Sequence, residues 1–138
     1  MTAPTNRQQR TAPPQHDNRE REKGRVALKA FFNITEAWGC SPEEQRILLG
    51  GIGKTTYYKY RALPAVLLPQ DTLERISYVM GIYKALRILL PTEEQANAWV
   101  RRPNQAPLFN GQSALQRMLA GRVVDLADVR RYLDAWRG

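Results

Sequence analysis

The run Gly51-Ile52-Gly53-Lys54-Thr55 ends like a phosphate cradle, in which backbone amides and a lysine surround a nucleoside triphosphate. The complete motif needs a glycine five residues before Gly53, and Leu48 stands there. The residues just upstream carry a helix start where a phosphate-binding loop would follow a strand, so nucleotide hydrolysis is rejected. Nucleophilic and metal chemistry have no better footing. His16 is the only histidine and Cys40 the only cysteine, which precludes Ser/His/Asp or Cys/His catalysis on a folded core, a zinc site and an intramolecular disulfide. The pairs Glu43-Glu44 and Glu93-Glu94 fall in predicted first turns, where the helix dipole accounts for them. No enzymatic activity, cofactor or metal is expected, and Cys40 is expected to be a small residue at a helix end.

The glycine turn has a second reading. Pro42 to Leu49, the turn Gly50 to Gly53 and Lys54 to Leu63 have the lengths of a helix-turn-helix, whose second helix enters the DNA major groove. Between Gln45 and Gln70 the chain carries Arg46, Lys54, Lys59 and Arg61 and no acid, a surface that gains from phosphate neutralisation. Lys54, Thr55, Thr56, Tyr58, Lys59 and Arg61 are the candidate DNA contacts. Alternatively, Tyr57, Tyr58 and Tyr60 only pack and the cations are only solvated; residue pattern alone leaves both readings open.

These residues need helices to position them, and the chain is well punctuated for helices. Ser41-Pro42-Glu43-Glu44 supplies an N-cap, a proline at the first helical position and a capping-box glutamate. Asp71 with Glu74 predicts a second box opening the longest helix, with Leu73, Ile76, Met80, Tyr83, Leu86 and Leu90 as its apolar stripe, ending at Pro91. Thr92 with Gln95, Ser113 with Gln116, and Asp125 open three more, and Pro103 to Gly111 is expected to be a linker anchored by Phe109. Residues 1–23 contain no aromatic or branched aliphatic side chain, so residues 1–24 are predicted to form a disordered arm. The fold class is all-α, with little period-2 alternation to suggest strands.

The 138 residues suffice for one compact domain, or for a small domain with a docked extension. A net charge of +8 and a pI near 10.1 favour partners rich in phosphate or carboxylate. No run approaches the roughly 18 apolar residues of a membrane span, and no secretory segment opens the chain. A reducing, cytoplasmic setting follows.

The last predicted helix sets an apolar stripe of Leu126, Val129, Leu133 and Trp136 beside a charged one of Arg130, Asp134 and Arg137, with Arg131 in reach of Asp134. A tryptophan and three arginines near the end are residue types that dominate binding hot spots. Here the motifs converge: SPEEQRILLG, TYYKYR, FNGQSAL, MLAG and VRRYLDAWRG together resemble the bacterial Xre/MbcA/ParS antitoxins over residues 25–138. The resemblance implies an Xre-like helix-turn-helix and dimerisation domain at 25–102 and a toxin-binding domain at 103–138. It further implies a type II antitoxin that neutralises a RES-domain toxin, one consuming NAD⁺ or transferring ADP-ribose from it. Family members bind operator DNA, act as homodimers within a toxin–antitoxin hetero-oligomer, and lay their C-terminal end over the toxin's active-site entrance. On that plan Arg130, Arg131, Asp134, Trp136, Arg137 and Gly138 would contact the toxin. The alternative is a stand-alone helix-turn-helix repressor, for which a second domain from Phe109 onward has no use.

Overall fold

The computed structural model describes residues 14–138. Among them are seven helices: α1 Pro14–Ala37, α2 Pro42–Leu48, α3 Lys54–Arg61, α4 Gln70–Leu89, α5 Glu93–Trp99, α6 Ala114–Met118 and α7 Val123–Arg137. Buried side chains from all seven form one apolar cluster, with Phe31, Trp38, Leu48, Ile82, Leu86, Met118 and Leu133 among its largest fully buried members. The all-α expectation holds. Helix α4 is the central post, packed against α1 on one side and against α5 and α7 on others.

Three helix starts follow the local chemistry. Ser41 and Ser113 each accept from the amide three residues on, and Glu44 and Gln116 return the favour to the cap amides. Thr92 accepts from the Gln95 amide at 3.1 Å. Two starts differ from expectation. Helix α4 opens two residues earlier than expected, with Pro69 as N-cap, and Asp71 accepts from Arg75 Nε at 3.0 Å instead of capping. Helix α7 opens at Val123, so Asp125 is the capping-box partner of Arg122 and not the cap itself. Met80, expected in the core stripe of α4, is 41 % exposed.

The expected disordered arm is corrected in its second half. Helix α1 is continuous from Pro14, and residues 1–13 lie outside the described residues. Helix spacing turns the charges of this polar segment into pairs: Asp17 with Arg21 at 2.9 Å, Glu20 with Lys23 at 3.1 Å, and Glu22 with Arg25. The segment is also braced from outside, because the stretch between α3 and α4 crosses it and the Val66 amide donates to the Arg21 carbonyl at 3.0 Å. Gly24 makes that crossing possible, since a Cβ there would lie 2.0 Å from the Val66 carbonyl oxygen.

The expected linker is instead a closed loop. The Asn104 amide donates to Gln112 O at 3.0 Å and the Gly111 amide to Asn104 O at 2.8 Å, while Phe109 is buried beneath. Asn110 and Gly111 take the positive φ angles, 50° and 89°, that let the loop turn back.

Gly24→Ala separates two opposed effects. Helix propensity alone favours alanine by about 1 kcal/mol. The collision with backbone at Val66 should reverse the sign and destabilise the chain by about 1–3 kcal/mol, measured as a lower urea midpoint.

Candidate functional site

The helix-turn-helix is assembled around a buried chain of hydrogen bonds. The Tyr57 hydroxyl donates to Gln45 Oε1, Gln45 Nε2 donates to Thr35 Oγ1 at 3.0 Å, and Thr35 Oγ1 donates to the Phe31 carbonyl at 2.8 Å. All three side chains are buried, so α3, α2 and α1 are fixed to one another by polar groups that have no water to fall back on. Burial pushes the Tyr57 phenol above its ordinary pKa. Phe32 packs edge-on against Tyr57.

The turn itself is clasped by Arg46, whose Nε donates to Ile52 O at 2.9 Å while Nη1 reaches Glu43 at 3.0 Å. Gly50 and Gly51 adopt φ of 105° and 75°, which suit glycine. Helix α3 then presents Lys54, Thr55, Tyr58 and Lys59 outward, opposite the buried Tyr57 and Tyr60, with Thr56 half-buried between. Arg61 is occupied: it pairs with Glu36 at 2.7 Å and stacks over the Phe32 ring at 4.6 Å. Of the four cations counted in the sequence, Arg46 and Arg61 therefore hold the fold, and Lys54 and Lys59 remain for an outside anion. Gly51 to Thr55 joins two helices, which is not a phosphate-binding loop.

The C-terminal end is rooted differently. Asp125 is fully buried and accepts from the Arg122 amide at 3.1 Å and from Arg122 Nε and Nη2 at 3.2 and 3.0 Å, with Arg117 at 3.5 Å. Burial raises its pKa, yet the Arg122 hydrogen bonds outweigh burial and the carboxyl sits below its ordinary value. Asp128 is likewise lowered, by hydrogen bonds from Arg131 and then Arg117, which approach at 2.6 and 3.0 Å. Arg117 is thus a site residue that sequence reading missed, since both its partners are distant in sequence.

Beyond this root, the six residues expected to act together lie on different sides of α7. Arg130 pairs with Asp134 at 3.2 Å and lies so close over Gly81 that a Cβ there would meet its Nη1 at 1.6 Å. Arg137 approaches Asp134 more loosely, at 3.9 Å. Arg131 turns away to Asp128 and not, as expected, to Asp134. Trp136 is not in the core but 47 % exposed, its ring 6.2 Å from Trp99 in a group with Tyr132 and Phe109. Asp134 to Gly138 are all exposed. Cys40 offers no nucleophile, because burial and the nearby Glu44 push its thiol up to about 12.

A basic helix-turn-helix together with a terminal helix whose arginine-bearing end is exposed is the geometry on which the comparisons bear. Residues 17–81 match the family model for the antitoxin Xre-like helix-turn-helix domain, and residues 85–138 that for the antitoxin Xre/MbcA/ParS C-terminal toxin-binding domain. The chain belongs to the Xre/MbcA/ParS antitoxin family. It is also 50% identical over 111 residues to "Uncharacterized protein y4oB" of Sinorhizobium fredii (strain NBRC 101917 / NGR234), covering 80% of this chain and 84% of that relative. No solved structure matches it. The antitoxin's two matched segments meet within α4, which runs unbroken through residues 81–85.

Two outcomes follow from the buried groups. Tyr57→Phe strands Gln45 Oε1 in the core and should cost about 1–3 kcal/mol in a urea titration, with the tilt of α3 loosened. Asp125 and Asp128 have folded pKa values below their unfolded ones, so their stabilisation is complete above the unfolded pKa and is lost as pH falls through the folded value. Melting temperature should drop below about pH 4, and Asp125→Asn should flatten that drop while lowering stability at pH 7.

Proposed function

We propose that this antitoxin binds and neutralises a RES-domain toxin that consumes NAD⁺ or transfers ADP-ribose from it, and that it represses its own operon through α3. It works by binding and performs no chemistry of its own. The cytoplasm, where NAD⁺ and DNA are both present, is the setting, and the acting form is a homodimer within a toxin–antitoxin assembly. Residues 25–102 serve DNA and self-association, and residues 103–138 serve the toxin.

One observation carries this reading: α7 is buried and ion-paired at its root, through Leu126, Val129 and Asp125, but exposed from Asp134 to Gly138. A rigid rod with a free, arginine-bearing tip can enter a cleft without losing much conformational entropy. Trp136 supplies contact area and Arg137 a guanidinium at the tip, and Arg131, which stays exposed one turn back beside its Asp128 partner, supplies a second on the flank; guanidiniums match the phosphates and carboxylates of an NAD⁺ site. Asp134 and Gly138 complete the tip. Arg130 is reassigned to the scaffold, because its guanidinium lies over Gly81. On the DNA side, Lys54 and Lys59 neutralise phosphates, and Thr55, Thr56 and Tyr58 are within the helix turn that would face base edges. Arg61 acts there only by holding α3 to α1.

The test is co-expression with the product of the adjacent reading frame, followed by an NAD⁺-consumption assay. Replacing Trp136 by Ala and Arg131 and Arg137 by Glu should weaken neutralisation by about 100-fold or more, whereas Arg130→Ala should cost far less. Undiminished neutralisation by the triple variant would overturn the assignment. For the operator, Lys54→Ala with Lys59→Ala should weaken promoter binding and flatten its dependence on log salt concentration by about two phosphate equivalents.

A further inference from the structure

The open face of α4 carries a basic groove that neither α3 nor the tip of α7 uses. Ile34 of α1 with Met80 and Gly81 of α4 supply its apolar lining, and Lys84, Arg87 and Arg130 rim it with no acid among them. Arg130 is paired with Asp134, but Lys84 and Arg87 are exposed and, among the described residues, enter no ion pair. The acids bordering the groove, Asp134 and Glu93, already accept from Arg130 and Tyr83. Cations around an apolar lining suit an anion that also brings aliphatic surface.

Position narrows the occupant. Helix α3 is held to α1 through Phe32 and Glu36, and Ile34 lies about 160° around α1 from both. The groove is therefore on the opposite flank from the DNA-facing helix, where a straight duplex resting on α3 does not reach. A phosphodiester backbone would also leave the apolar lining unmatched. A second copy related by a two-fold axis through the groove would set these cations against themselves. The tip of α7 points to the remaining occupant. Arg137 is seven residues, or about 10 Å, beyond Arg130 on the same helix. A specific interface takes roughly 20 residues from each side, whereas Asp134 to Gly138 are only five. A protein that holds the tip in a cleft must spread onto the surface beside it, and the groove is within that reach.

We infer that the α4 groove is a second docking surface for the toxin and takes an acidic segment at the rim of the toxin's cleft. Lys84 and Arg87 face the carboxylates of that segment, and Met80 and Ile34 face its aliphatic carbons. This rests on the toxin binding proposed above and adds the chemistry of the partner's surface and the residues that read it. Charge pairing at a rim acts on encounter more than on residence, so its signature is the association rate.

The test uses the full chain and the toxin co-purified from the adjacent reading frame. Carbodiimide coupling, which joins an amine to a carboxylate in direct contact, should link Lys84 to an Asp- or Glu-bearing toxin peptide found by mass spectrometry. Lys54 and Lys59 on α3 should not couple to the toxin. Lys84→Glu with Arg87→Glu should slow association with the toxin about tenfold at low salt, the deficit shrinking as salt rises. The circular dichroism spectrum and the salt slope of promoter binding should stay unchanged. Association at the wild-type rate, or absence of Lys84 from the coupled peptides, overturns the groove and leaves the α7 tip standing. A flattened promoter salt slope gives the groove to DNA, and a halved sedimenting mass of the free chain gives it to a second copy; either overturns the inference. If the wild-type chain captures no toxin, the proposed function falls and the groove with it. Should the double reversal misfold, Lys84→Gln with Arg87→Gln takes its place, with an expected slowing of about threefold.

Discussion

The relay from Tyr57 through Gln45 and Thr35 to the Phe31 carbonyl is the constraint on which the DNA-facing half of the molecule depends. Each group in it is both donor and acceptor, or is fixed as one of the two by its neighbour, and none can exchange its partner for water. Helix α3 has only eight residues and an N-cap glycine without a side chain, so neither length nor capping holds it. Its orientation comes from one phenol reaching into a polar slot and from Phe32 and Arg61 closing over it. Loss of any member leaves an unpaired polar atom in the core, so the arrangement is all or nothing.

A second organising fact is where the positive charge goes. Several of the guanidiniums behind the net +8 are fixed in place within the fold. Arg46 donates to Ile52 O, Arg75 to Gly121 O at 2.9 Å, and Arg101 to Trp38 O and Gly39 O at 2.5 and 2.6 Å. Each guanidinium thereby satisfies carbonyls at turns and helix ends that no backbone amide reaches. Exposed ion pairs contribute little to stability, but an arginine anchoring a turn's carbonyl fixes geometry that a lysine's single point charge would not. Counting basic residues therefore overstates how many side chains can reach out to a polyanion, although each keeps its charge, and the side-chain partners show which cations are free to do so.

Helix identity was legible because the punctuation is local: Ser41 with Glu44 and Ser113 with Gln116 reveal their caps within four residues. What stayed hidden depends on contacts far apart in the chain. Glutamine at position 45 looks like a solvated helix residue, and only Thr35 and Tyr57 make it a core residue. The polar start of α1 looked unable to order itself, yet its own i, i+3 and i, i+4 pairs and the crossing at Val66 hold it. Trp136 fell on the apolar period of α7, but the helix projects past the core there and the ring stays half in water. The terminal residues were identified as a group, while the sides they occupy were set by Gly81, Asp128 and Trp99, none of which periodicity could name.

Helix α4 passes without a break from the segment that matches the DNA-binding domain into the segment that matches the toxin-binding one. There is no hinge at that junction, so the two surfaces are held in phase by helical geometry, like marks on a ruler. One residue inserted between Gly81 and Ala85 would advance everything beyond it by about 1.5 Å and turn it by about 100°. That would pull Arg130 off its glycine seat and swing the tip of α7 to a different side of the molecule. Relatives that vary in length can thus be expected to do so in loops, and to keep the residue count of this helix fixed.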